Sequence, residues 1–128
     1  MNPEIKAKWI EALRSGDYQQ GGGRLRGGND QFCCLGVLCD IAANSEGVDV
    51  RVTQVELDQP CDCEMCEKGP DYLYNGCDGY LPIEVVNWSG LGYVNPEVTV
   101  GGDRRTLSYL NDGGYTFGQI AELIEEQL

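Results

Sequence analysis

Four cysteines, Cys61, Cys63, Cys66 and Cys77, follow the spacing C-x-C-x2-C-x10-C. Four thiolates from two short loops match the tetrahedral all-sulfur sites that hold structural zinc, and such a closed site has no open position for a substrate. The C-x-C opening departs from the paired C-x2-C knuckle, and the surrounding segment is acidic, so zinc stands beside a second reading: unligated surface thiols or a redox-formed disulfide. Cys33, Cys34 and Cys39 form another group. A thiol nucleophile needs a base or a cation to hold it as thiolate, and the chain has no histidine. These three are expected to pack in the core, with Cys33, nearest a helix start, the one to test for reactivity.

A third constellation is the glycine-rich run Gly21, Gly22, Gly23, Gly27 and Gly28 around Arg24 and Arg26. Glycines let backbone amides approach an anion, and guanidinium forks bind phosphate through two parallel hydrogen bonds. No Gly-Lys-Ser/Thr follows and no clear strand precedes, so this is neither a P-loop nor a dinucleotide fingerprint. The bland alternative is a flexible hairpin with solvated arginines. Arg104 and Arg105, after the Gly101-Gly102-Asp103 turn, are a weaker anion candidate. Tyr18, Trp88, Tyr93 and Tyr109 are candidate stacking surfaces for a base. Carboxylates are abundant, but no spacing singles out a catalytic pair.

Charge limits the partners. The net charge is −12, and it is unevenly spread. Ten acids lie between Asp40 and Asp78 against Arg51 and Lys68, whereas the first 28 residues carry Lys6, Lys8, Arg14, Arg24 and Arg26 against Glu4, Glu11 and Asp17. Duplex affinity comes largely from cations that neutralise phosphates, so nucleic acid is a poor partner. Seven cysteines, an odd number, with no basic–apolar leader at the N-terminus, argue against a disulfide framework and for the cytoplasm. No apolar run is long enough for a membrane span.

The elements that must position these residues follow from local signals. Asn2, Pro3 and Glu4 start a helix over Pro3–Ser15, with Ile5, Trp9, Ala12 and Leu13 on one face and Gly16 to end it. Glycine density over 21–28 dictates an irregular hairpin. Phe32 to Ala43 reads as a buried helix about which the core organises, with Cys34, Leu38, Ile41 and Ala42 on one stripe. Asn44 to Tyr80 reads as an irregular, acidic, cysteine-rich insertion in which Val48, Val50, Val52 and Val55 favour a strand or two. Pro82 opens a short helix closed by Gly90, and Val98 to Val100 is a strand. Leu107 to Leu110 is a short helix. Thr116 and Gln119 form a capping box for a last helix carrying Phe117, Ile120, Ala121, Ile124 and Leu128. The expected fold is one α+β domain over residues 1–128 whose C-terminal helices form a hairpin; the helix-turn-helix reading of that hairpin is set aside because no recognition helix follows before Leu128.

K-W-I-E-A-L-R-S-G-D-Y (8–18), F-C-C-L-G-V-L-C-D-I-A (32–42), L-P-I-E-V-V-N-W-S-G-L (81–91) and L-N-D-G-G-Y-T-F-G-Q-I-A-E-L-I-E (110–125) together resemble a widespread family of small proteins of tailed bacteriophages and prophages. The resemblance covers both ends and the central helix and leaves out 44–80. It implies an accessory protein acting inside a bacterium. Such proteins commonly counter host defences, one class by sequestering nucleotide immune signals such as cyclic dinucleotides or ADP-ribose derivatives. Joined to the residue reading, it sets the expectation of a non-enzymatic, homo-oligomeric binder that holds a small phosphorylated ligand with Arg14, Tyr18, Arg24, Arg26, Trp88, Arg104 and Arg105. The rival expectation is a zinc-stabilised module that binds and inhibits a host protein.

Overall fold

A computed structural model describes residues 1–27, 30–55 and 71–128. The chain runs α1 (Pro3–Ser15), β1 (Gln19–Gln20), β2 (Gln31–Phe32), α2 (Cys34–Ala43), β3 (Val52–Val55), β4 (Asp71–Tyr74), α3 (Ile83–Ser89), β5 (Glu97–Val100), β6 (Asp103–Thr106), α4 (Leu107–Asp112) and α5 (Phe117–Gln127). This is an α+β domain in which helices supply most of the core and three two-stranded sheets add Phe32, Tyr74 and Val98 to it.

α1 forms as its sequence dictates. Asn2 Oδ1 accepts from the backbone amides of Glu4 (2.9 Å) and Ile5 (3.3 Å), and Gly16 ends the helix in the left-handed region at φ 79°. Its apolar stripe of Ile5, Trp9 and Leu13 is buried against α2 and α5. Trp9 Nε1–H donates to Cys34 O at 2.9 Å, so the fully enclosed indole leaves no orphan donor. α5 carries the capping box, with Thr116 and Gln119 side chains each accepting from the other's backbone amide.

α2 is the central buried helix, beginning at Cys34 because Phe32 belongs to β2 and Cys33 is the cap, its Sγ accepting from Gly36 N. Burial reaches round most of its circumference, taking in Leu35, Gly36, Val37 and Cys39, while Ile41 of the expected stripe is half-exposed. A helix apolar on every side is enclosed by neighbours rather than laid on one.

The glycine-rich run is ordered by its one apolar residue. Leu25 is fully buried and its carbonyl lies on α2, where it accepts from Cys33 N at 3.2 Å. Burying a leucine side chain is worth about 1.5–3 kcal/mol, which offsets part of the entropy lost in fixing the loop. Arg26 bridges Phe32 antiparallel, making the expected hairpin, while Gln19 and Gln20 pair in parallel with Gln31 and Phe32. The close approach requires Gly36: a Cβ there would lie 1.7 Å from Leu25 O.

The Asn44–Tyr80 stretch is built at its base on a ribbon, β3 pairing antiparallel with β4 from Val52↔Tyr74 to Val55↔Asp71. Residues 56–70, including Cys61, Cys63 and Cys66, lie outside the described residues. β4 continues into a turn in which Asn75 (φ 50°) and Gly76 (φ 80°) sit between the bridged pair Tyr74 and Cys77. β5 and β6 form a hairpin over the Gly101-Gly102 turn, which extends the single strand expected there by a second, Asp103–Thr106.

Gly36→Ala drives a methyl group into the Leu25 carbonyl and is expected to cost roughly 3 kcal/mol. Gly118→Ala, on an exposed helical position with nothing closer than 3.8 Å, is expected to stabilise by up to about 1 kcal/mol. Urea denaturation of both variants checks the pair; equal effects would show that Leu25 does not hold the loop on α2.

Candidate ligand-binding site

Two of the residues picked out for ligand contact, Tyr18 and Arg26, meet on Phe32. The Arg26 Cζ lies 5.0 Å from the Phe32 ring centroid and 3.9 Å from that of Tyr72, so the guanidinium is flanked by two aromatic rings. Tyr18 packs edge-on against Phe32, with centroids 4.9 Å apart at 89°, and its hydroxyl donates to Asp40 Oδ2 at 2.6 Å. Arg26 Nε donates to Asp30 Oδ1 at 2.7 Å, and its side chain is 20% exposed against 65% for Asp30. Asp30 itself holds a left-handed backbone at φ 59°, a conformation Asp and Asn tolerate best among residues with a side chain.

Beneath this group stands Tyr74. Its ring is fully buried, and among the described residues its hydroxyl is the buried side-chain polar atom with no hydrogen-bond partner. Arg26 is near enough to bias the phenol electrostatically without meeting hydrogen-bond geometry. Burial, then the Asp40 carboxylate, holds the Tyr74 phenol above its ordinary range despite the opposing pull of Arg26. Burial, then the hydrogen bond to Asp40, raises Tyr18 likewise. Burial works against the Arg26 charge, but Asp30 and Tyr74 more than offset it, so this guanidinium stays ionised. The group therefore presents one fixed cation on an aromatic bed, balanced by the exposed carboxylate of Asp30.

The backbone amides that an anion nest would need are largely used inside the protein. Gly21 N donates to Phe32 O (2.8 Å), Leu25 N to Asp78 O (2.6 Å) and Gly27 N to Gln31 O (2.9 Å), and Gly23 N donates to Asp112 Oδ1 at 3.0 Å. An anion here would have to be met by side chains. Arg24 is half-buried on the same loop.

The other expected contacts lie elsewhere. Arg14 projects from the last turn of α1 and pairs with Glu125 of α5 at 3.0 Å, beside an open, mostly apolar groove of about 660 Å³ along Pro3, Ala7 and Ile10. That groove is lined by hydrocarbon together with Lys6, Glu11, Arg14 and Glu125; its Arg14 is paired with a carboxylate, as Arg26 is with Asp30, but among the described residues no aromatic ring lines it, whereas two flank Arg26. Trp88 is half-buried in α3 against the core. Arg104 pairs with Glu97 at 3.1 Å on the β5–β6 hairpin, and Arg105 stands 3.8 Å from Asp103 and over Tyr109. A smaller concavity of about 370 Å³ is bordered by Gln20, Gly22, Asn111, Asp112 and Tyr115.

Asp40, Tyr72 and Tyr74 are site residues that the sequence reading missed. A signal existed: Tyr72-Leu73-Tyr74-Asn75-Gly76 is a β-forming run ended by the Asn-Gly dipeptide that marks a two-residue hairpin turn.

Of the four expected zinc ligands, Cys77 lies within the described residues, as a free, half-buried thiol; among those residues no group of three or more His, Cys, Asp or Glu is placed to hold a metal. Cys33, Cys34 and Cys39 are buried, as expected of core thiols. Cys33, the one of the three to test for reactivity, is enclosed like the others: burial pushes its thiol up to about 11, against lesser opposition from the Gly36 and Leu35 amides. Burial likewise holds Cys34 and Cys39 well above the ordinary thiol value. Among the described residues no helix is long and apolar enough to cross a membrane.

Residues 1–128 match the family described as Domain of unknown function (DUF8296), and the chain belongs to that family. No curated protein and no solved structure gives a match.

Two measurements probe this region. Deleting an unsatisfied hydroxyl removes a desolvation penalty, so Tyr74→Phe is expected to leave stability unchanged or raise it by up to about 1 kcal/mol. A loss above about 1 kcal/mol in urea denaturation would show that the hydroxyl is bonded. A thiol whose folded value exceeds its ordinary 9.0 favours the folded state below pH 9, and this contribution is lost as pH rises towards about 11. Urea midpoints are expected to fall across that window, and native alkylation near neutral pH to spare Cys33, Cys34 and Cys39. Flat midpoints with rapid labelling of Cys33 would refute this.

Proposed function

We propose that this DUF8296 member is a non-catalytic binding protein that takes a phosphate-bearing small molecule at Arg26 and holds it without turning it over. The observation that carries the reading is the guanidinium of Arg26, only 20% exposed and held between the rings of Phe32 and Tyr72 with an exposed carboxylate as its counter-ion. A guanidinium packed on aromatic faces has lost little further freedom when it grips an oxyanion, and its partial burial strengthens the contact over one made in bulk water. Tyr72 offers a flat surface of the kind on which a nucleobase stacks. In a chain of net charge −12, one buried-edge cation also confines anion binding to a defined place.

The likeness of the four quoted segments to small phage proteins supports a setting for such a binder: an accessory protein that counters host defence by sequestering a nucleotide immune signal. Cyclic dinucleotides and ADP-ribose derivatives both carry the phosphate and the base that Arg26 and Tyr72 suit.

Calorimetric titration with cyclic dinucleotides and ADP-ribose, followed by heating to release the ligand and chromatography to identify it, tests the proposal. Recovery of intact ligand is expected. Arg26→Gln should weaken binding about tenfold or more, as for loss of a charged hydrogen bond. Asp30→Asn, which keeps the left-handed backbone, should tighten it severalfold by removing the competing carboxylate. Failure of the whole panel to bind, or Arg26→Gln binding as well as the parent, would sink the reading; recovery of a cleaved product would make the protein an enzyme instead.

A further inference from the structure

Six large apolar or aromatic side chains are strongly exposed among the described residues, and four of them lie on two neighbouring segments. Tyr80 is 59% exposed and Ile83 59%, at the start of α3; Tyr93 is 71% and Val94 46%, on the loop after it. Leu81 N donates to Val94 O at 2.9 Å, so one backbone hydrogen bond joins the two segments side by side. Leu81, Pro82, Val85 and Val86 are buried beneath them, which makes the support rigid. Exposed hydrophobic residues scattered singly need no explanation, but a contiguous group with two tyrosines has the composition of an interface core.

Charge identifies the occupant. From Asp71 to Asp103 the chain has no lysine or arginine. The acids closest in sequence to the patch, Asp78 and Glu84, are both exposed, whereas Glu97 is already paired with Arg104. A second copy would bring the same exposed carboxylates, and a net charge of −12, face to face. A segment that carries both positive charge and an apolar anchor meets the patch without that repulsion.

We propose that Tyr80, Ile83, Tyr93 and Val94 form a docking surface for a basic, amphipathic polypeptide segment, whose apolar side chains sit among the four residues and whose cations lie against Asp78 and Glu84. This face does not use Arg26, so it stands or falls apart from the small-molecule site.

The test is titration of the isotope-labelled protein with a synthetic lysine–leucine amphipathic helix, and with a glutamate–leucine helix of the same length, followed by NMR. The lysine peptide is expected to shift the resonances of Tyr80, Ile83, Tyr93 and Val94, and the glutamate peptide to leave them in place. Tyr93→Ser with Ile83→Ser should weaken binding about tenfold or more. Glu84→Lys should weaken it severalfold at low salt and less at high salt. All three substituted side chains are exposed, so the fold survives their change. Equal binding of both peptides, binding unaffected by the serine pair, or concentration-dependent self-association of the free protein through these four residues would each overturn the proposal.

Discussion

The architecture depends on one buried carboxamide. Asn111, 6% exposed at the end of α4, uses both ends of its side chain. Its Oδ1 accepts from Gln20 Nε2 at 3.0 Å and from Cys34 N at 3.2 Å, and its Nδ2 donates to Gly21 O at 2.7 Å and, more distantly, to Asp112 Oδ1 at 3.4 Å. Gln20 extends the network, donating to Tyr115 O at 2.7 Å and accepting from Phe117 N at 3.1 Å. Three regions distant in sequence, the 20–21 strand end, the first turn of α2 and the α4–α5 junction, are thereby held at one point. An aspartate would lack the donor and a leucine both functions; each buried group so orphaned costs about 1–3 kcal/mol. A satisfied polar network of this kind fixes a single arrangement where apolar contact alone would tolerate several.

The candidate site inherits its geometry from that point. Tyr18 lies two residues before Gln20, Phe32 two before Cys34, and Arg26 directly after Leu25, whose carbonyl rests on α2. Each side chain that meets on Phe32 is thus within two residues of an anchored one, which is why a loop rich in glycine presents its arginine at a fixed place. The fourth partner, Tyr72, comes from the β3–β4 ribbon, secured independently. Asn75 N donates to Arg51 O, its Oδ1 accepts from Arg51 N and its Nδ2 donates to Asp49 O, at 2.7–2.9 Å. The site lies where these two independently anchored regions meet, with the Tyr18–Asp40 hydrogen bond tying it to α2.

Much of the fold was legible without coordinates because its causes are local. Asn2-Pro3-Glu4 and Gly16 bound α1, Thr116 with Gln119 caps α5, and the period of Ile5, Trp9 and Leu13 names the buried face; each signal acts within four residues of itself. The strands were less legible. β1, β2 and β6 are two to four residues long, too short for a period of two to show, and β4 was hidden among cysteines whose spacing drew attention to metal chemistry. The site was half legible: Tyr18 and Arg26 were picked out by type, but nothing local links them to Tyr72, Tyr74 or Asp40.

By itself the sequence determined the composition of the chemistry: no histidine, a strong acidic bias, a basic N-terminal stretch, glycines that forbid a helix over 21–28, and helix ends where capping residues stand. Tertiary structure alone decided how each arginine is placed. Arg14 met Glu125 of α5, Arg104 met Glu97 across the β5–β6 hairpin and Arg105 met Asp103 on its own strand, while Arg26, paired with Asp30, was also drawn against the rings of Phe32 and Tyr72, because the placement of a long cationic side chain depends on what other segments bring within reach. The same holds for the glycine loop, whose amides were largely spent on internal partners once Leu25 was buried, and for the core cysteines, which the helices enclose.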